Sequence, residues 1–255
     1  STFPALVINS LLFPMGLSGI GIEGAAMIEA LTVTVSAPVG EELCKLAAVL
    51  SLSRMIDSSR RGLQVGFTVG LGFAMLENLQ YILLSLVAEP TTAAVSYGFT
   101  SIIRGIGSIP GHAVWTGLSG YALGHVRSRT VQHEQANDAA LATWGLFDAH
   151  TGQALATATS AWVVQRDTWV RRVASTFGPV PPQAVIPAVL VGIAGHALWN
   201  GSTVLLDVWL SGTSLFTQAV VMIGWILFLV VLVLQAGRRL FGAALEDTYG
   251  PMKPF

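Results

Sequence analysis

The sequence predicts an all-α fold: a polytopic transmembrane helix bundle of about six spans, plus a cytoplasmic amphipathic helical segment. Composition, the spacing of apolar runs and the placement of arginines predict it. Apolar residues make up 53% of the 255-residue chain and charged residues 11%, against roughly 25% charged in an average soluble domain. A water-soluble protein of this size needs a charged skin that these residues cannot supply. The mean hydropathy of +0.65 agrees. The net charge of −1 gives no electrostatic case for binding nucleic acid.

A span needs about 20 mainly apolar residues. The first runs from Pro4 to Ile20; it lacks a basic n-region and is expected to be retained rather than cleaved as a signal peptide. The second runs from Gly24 to Ser53 and the third from Leu63 to Ala88. The fourth covers Ala94 to Gly124, the fifth Gln183 to Trp209 and the sixth Leu215 to Ala236. The second and fourth exceed the thickness of a membrane, so each is expected to be tilted, kinked or partly interfacial, with Pro38-Val-Gly and Pro110-Gly111 as the natural break points.

Arginines and lysines test the assignment, because they collect on the cytoplasmic side. Of the 13, only Lys45 and Arg104 lie within spans. The others follow the second span (Arg54, Arg60, Arg61), separate the fourth from the fifth, or follow the sixth. The intervening connections around Gly21, Glu89 and Gly212 carry none. Six alternating spans place all three basic regions on one side, so both ends of the chain are expected in the cytoplasm. The stretch Ala139 to Val164 is apolar but interrupted by Asp148, His150 and Gln153, and is read as an amphipathic helix on that face. The whole chain, 1–255, reads as one membrane-embedded domain with a cytoplasmic insert at about 127–182. Trp162, Trp169 and Trp209 fit interfacial anchors.

Charges within lipid are costly and mark function by default. The second span carries Glu41, Glu42 and Lys45; the third, Glu77 and Asn78; the fourth, Arg104 and His112; the fifth, His196 and Asn200. At 1.5 Å per residue, Glu42 lies about 18 Å from Arg54, Glu77 about 24 Å from Arg61, His112 about 22 Å from Arg127 and His196 about 21 Å from Pro182. Four helices thus carry polar residues at one depth, as a single site requires. Glu41 and Lys45 share a helix face, as do His196 and Asn200. Gly66 and Gly70 on the third span, and Gly117, Gly120 and Gly124 on the fourth, permit close backbone approach.

These residues stand in segments that resemble the PrsW family of bacterial intramembrane proteases. The matching segments are Glu41-Glu42-Leu-Cys-Lys45; Gly72-Phe-Ala-Met-Leu-Glu77-Asn78 with Tyr81; Arg104 with Pro110-Gly-His112-Ala; Gly120-Tyr-Ala-Leu-Gly124; and Gly195-His196-Ala-Leu-Trp-Asn200. The resemblance covers Ala37 to about Gly201, except Arg127 to Pro182, a segment longer than the family leads one to expect. It implies a multi-pass protein of the bacterial inner membrane that cleaves membrane-spanning anti-sigma factors. It also makes Glu41 and Glu42 the family's glutamate pair, and His196 its essential histidine. Asn200 stands where some members have Asp, which weakens a metal-ligand role there. The wider superfamily includes the CAAX-processing membrane endopeptidases.

Peptide hydrolysis needs an activated water, a base and a stabiliser for the oxyanion. Two routes fit the residues. In one, His112, His196 and a glutamate bind Zn²⁺, with Glu77 favoured as the ligand and Glu42 or Glu41 as base. In the other no metal is used: Glu41 or Glu42 activates water, and His196 with Asn200 holds the oxyanion. Lys45, Asn78 and Arg104 are supporting residues in either route. The principal alternative function is a proton- or ion-coupled transporter using the buried Glu, His, Lys and Arg, although no inverted repeat is visible. A catalytically dead scaffold for single-span partners is a further alternative.

Overall fold

The computed structural model describes residues 2–86, 97, 101–102, 104–139 and 181–249. Among them the chain is almost wholly helical, without strands. The first rod, Thr2–Gly19, is α-helical at Thr2–Val7 (α1) and Phe13–Gly19 (α2), around a π-helical turn at Ile8–Leu12. A tight connection follows, in which Gly21 (φ 83°) and Gly24 (φ 108°) take backbone conformations open to glycine at little cost. The second rod comprises α3 (Ala25–Leu31), a π-helical turn (Thr32–Ser36) and α4 (Ala37–Ser51). Then come α5 (Ser59–Leu86), a π-helical turn (Arg104–Ser108) leading into α6 (Ile109–Ala139), α7 (Val185–Leu210) and α8 (Leu215–Tyr249).

At the expected break points the helices distort into π-helical turns. Each π-helical turn ends two residues before a proline: Pro14, Pro38 and Pro110. A proline ring clashes with the carbonyl four residues earlier, here that of Ser10, Thr34 or Ile106. The wider turn moves that carbonyl aside without ending the helix. The rods therefore deform at these prolines and do not break.

Among the described residues, four helices are long and apolar enough to cross a membrane: Thr2–Gly19, Ser59–Ser85, Val185–Leu210 and Leu215–Ala244. They correspond to the first, third, fifth and sixth predicted spans. The rod carrying the second span is interrupted by Glu29, Glu41, Glu42 and Lys45, and the helix carrying the fourth is more polar because of where it sits. α6 is the central helix: from Gly111 to Ala122 every residue is buried, and His125 is buried below them. A helix walled by other helices needs no lipid-facing apolar surface. Large exposed side chains such as Leu190, Leu205 and Phe216 lie on the outer helices. Helices α6 and α8 also continue past their predicted ends, since arginines end an apolar span without ending a helix. The predicted amphipathic segment beyond Ala139, with Trp162 and Trp169, lies outside the described residues.

In lipid, helices associate through close packing rather than through water exclusion. The α5–α6 pair is the most extensively packed in the bundle. A Cβ on Gly66 would meet the Thr116 carbonyl oxygen at 2.4 Å, and one on Gly70 the His112 carbonyl oxygen at 2.3 Å. Only hydrogen fits at these crossings. Below them, Leu63, Leu118, Tyr121, Ala122, Ala188 and Leu240 form a buried core joining α5, α6, α7 and α8.

Candidate active site

The glycine crossing sets α5 and α6 so close that Glu77 and His112 face one another, with Glu77 Oε2 2.9 Å from His112 Nε2. Arg104, in the π-helical turn before α6, reaches the same oxygen at 2.6 Å. Arg104 is itself clamped to α5. Its Nε donates to Asn78 Oδ1 at 2.9 Å, Asn78 Nδ2 donates back to its carbonyl at 3.2 Å, and its guanidinium lies 3.9 Å from the centre of the Tyr81 ring.

Helix α4 brings the second half. Lys45 is fully buried and its ammonium lies 2.7 Å from Glu42 Oε1, 3.6 Å from Glu41 Oε2 and 2.6 Å from His112 Nδ1. The Phe73 ring covers the same ammonium at 4.1 Å. An ammonium only donates, so His112 Nδ1 accepts and its Nε2–H faces Glu77. Helix α7 supplies His196, whose Nδ1 lies 3.1 Å from Glu42 Oε1 and whose Nε2 lies 3.9 Å from Glu41 Oε2. A carboxylate only accepts, so Nδ1 carries the proton and Nε2 points its lone pair toward Glu41.

Five expected residues, Glu41, Glu42, Glu77, His112 and His196, are thus drawn from four helices into one buried cluster with Lys45 at its centre. Asn200 sits one turn beyond His196 and donates to the Val33 carbonyl at 2.9 Å, bracing α7 against the π-helical turn before α4.

Several neighbours went unnoticed in the sequence. Trp115 stacks on His196 (ring centres 4.8 Å apart, 14° between planes) and meets His112 edge-on at 5.5 Å. It stands three residues after His112, a spacing that places both on one helix face. Phe73 packs against His112 at 5.5 Å. Asn9 on the first rod accepts from Ser36 Oγ at 2.8 Å, and its Nδ2 lies 3.5 Å from Glu41 Oε1. No sequence pattern links Asn9 to Ser36; only the packing of two rods does.

A divalent metal fits this donor set. Glu41, His112 and His196 each offer one ligand atom, all within 4.8 Å of one another. Glu41 Oε2 is buried and has no hydrogen-bond partner. Glu42 behind His196 is the carboxylate that commonly fixes a ligating imidazole. The carboxylate in this grouping is Glu41, whereas Glu77 is already neutralised by Arg104.

Comparison with known proteins matches residues 1–155 to the PrsW family intramembrane metalloproteases. The chain belongs to the PrsW family. No curated protein and no solved structure matches the chain. Family membership makes it an intramembrane metalloprotease, a hydrolase acting on membrane-protein substrates within the bilayer, and a multi-pass membrane protein. The matched stretch contains Glu41, Glu42, Glu77 and His112; His196 and Asn200 lie beyond it and join the cluster through the fold.

Proposed function

We propose that this PrsW-family protease hydrolyses its substrate at the cluster of Glu41, Glu42, Glu77, His112 and His196, with Glu41, His112 and His196 holding the metal. The observation that carries the reading is the convergence of three ligand atoms within 4.8 Å in a buried site. Zinc suits two imidazoles and a carboxylate. When bound, such a metal polarises the scissile carbonyl and acidifies water.

The chain's own residues have separable tasks. Glu42 accepts from His196 Nδ1 and from Lys45, so it orients the imidazole and keeps its Nε2 free. Glu41 presents an oxygen that makes no hydrogen bond. Glu77 is held by Arg104 beside the cluster and accepts from His112 Nε2–H, so it orients that imidazole. Ligation by His112 requires that Lys45 or Glu77 release its ring, because both nitrogens are engaged. Asn78, Tyr81 and Arg104 hold Glu77 in position; Asn200 braces the helix that carries His196.

The substrate class is a single-span membrane protein, with an anti-sigma factor as the one the family resemblance implies. The chain acts as a single membrane-embedded domain, 1–255, of the bacterial inner membrane, with both ends and the insert at about 127–182 cytoplasmic. The arginine distribution supports that orientation.

The test is reconstitution of the purified protein in liposomes with tagged single-span polypeptides of about 20 apolar residues bearing a central Gly-Pro. Cleavage is expected, and Glu41→Gln and His196→Ala are expected to abolish it while circular dichroism stays unchanged. Undiminished cleavage in both variants rejects the assignment. Elemental analysis after chelator-free purification identifies the metal.

A further inference from the structure

Where the first rod, the second rod and α5 meet lies a cavity of about 140 Å³ whose wall includes Asn9, Glu41, Phe73, Glu77, Gln80 and Tyr81. Both Glu41 and Glu77 open into it. The larger groove, of about 420 Å³, is apolar apart from Arg238, lies between α5, α6 and α8, and is bounded by Phe67, Leu71 and Phe241. Neither acid lines that groove.

A peptide bond within a helix is shielded, so a substrate must unwind before it is cut. Unwinding in an apolar medium exposes N–H and C=O groups, each costly to leave without a partner. Side-chain amides carry both a donor and an acceptor and pair with main chain whatever its sequence. The cavity holds two. Gln80 stands three residues after Glu77 on the same helix face, and among the described residues its amide makes no hydrogen bond. Asn9 is fixed by Ser36 at 2.8 Å and reaches Glu41 Oε1 only at 3.5 Å. The first rod is also the lightly packed wall, its buried residues being Ala5 and Leu17.

We propose that this cavity is a main-chain subsite, in which the unwound backbone of the substrate lies between the first rod and α5, paired by the amides of Gln80 and Asn9 and presented to Glu41 and Glu77. The proposal rests on the proteolytic reading above. It names where the peptide sits and which groups hold it. Recognition by main chain rather than side chains makes the subsite tolerant of substrate sequence.

The test places a photo-crosslinking residue, p-benzoylphenylalanine, at Leu6 on the cavity wall and, separately, at Phe241 on the apolar groove, both in a Glu42→Gln background. The probe is the single-span Gly-Pro polypeptide described above. Capture of residues flanking the Gly-Pro from Leu6, and none from Phe241, is expected. Capture from Phe241 alone, or from neither, overturns the proposal. Cleavage of the same polypeptide by the unmodified protein reports independently on the proteolytic reading. In the otherwise unmodified protein, Gln80→Leu should raise KM about fivefold, as expected for one lost hydrogen bond in substrate binding, with kcat little changed. An unchanged KM also overturns it.

Discussion

His196 Nδ1 lies 3.1 Å from Glu42 Oε1, and that contact decides which imidazole nitrogen is free to work. Glu42→Gln keeps the size of the side chain but replaces an obligate acceptor with a group that can donate from one end. The imidazole is then no longer held in one tautomer. Cleavage is expected to fall by about 10–100-fold, in line with other residues that stand behind metal-ligating histidines. Circular dichroism should stay close to that of the unmodified protein, while the melting temperature should fall, because the change also removes the charge 2.7 Å from the buried Lys45 ammonium. A rate within twofold of wild type shows that Glu42 has no orienting role.

Glu41 is expected to matter for metal affinity more than for folding. Its Oε2 makes no hydrogen bond, and Lys45, 3.6 Å from it, has the closer carboxylate of Glu42 at 2.7 Å. Glu41→Gln removes a charged ligand and should weaken Co²⁺ binding, followed by visible absorption of the tetrahedral ion, by at least about tenfold. Glu77→Gln is the informative comparison, since Glu77 is paired with Arg104 at 2.6 Å. A larger loss of Co²⁺ affinity in Glu77→Gln than in Glu41→Gln reverses the assignment and restores Glu77 as the ligand that the sequence favoured.

Much of this site was legible in the sequence because lipid makes polar residues conspicuous. Glu41, Glu42, Glu77, His112 and His196 each interrupt an apolar run at a similar depth, and that agreement sufficed to group them. The pairing within the group was not legible. Whether Glu41 or Glu77 groups with both imidazoles depends on helix rotation, which a spacing of four residues does not fix between different helices. Asn200 shares a face with His196, yet the extra turn carries it to the Val33 carbonyl. The aromatic walls, Trp115 and Phe73, were hidden because apolar residues in a membrane span carry no contrast. The prolines were visible as the points where the rods yield, but the form of the distortion, a π-helical turn that absorbs the clash while the helix continues, was not.

The approach of α5 to α6 predicts a stability defect from a single methyl group. A Cβ at Gly70 would lie 2.3 Å from the carbonyl oxygen of His112, whereas one at Gly72 meets nothing within 4 Å. Gly70→Ala forces the helices apart at the turn that carries His112, and overpacking of this kind costs about 1–3 kcal/mol. The melting temperature in detergent should fall, and cleavage should fall further because Glu77 and His112 separate. Gly72→Ala is expected to change neither. Equal behaviour of the two variants shows that the crossing does not set the site.

Lys45 gives the sharpest test of how the buried charges are balanced. Its ammonium is fully buried and lies within 3.6 Å of both Glu41 and Glu42. Lys45→Met keeps the length of the side chain and its packing against Phe73 but leaves two carboxylates facing each other without a cation. Removing one partner of a buried ion pair costs about 3–5 kcal/mol, so the metal-free variant should melt well below the metal-free wild type. A divalent metal bound by Glu41 and the histidines supplies positive charge at the same place. Added Zn²⁺ should therefore raise the melting temperature of Lys45→Met by more than it raises that of wild type. Equal increments in the two proteins show that the metal and the ammonium do not act on the same carboxylates, and that the metal sits elsewhere.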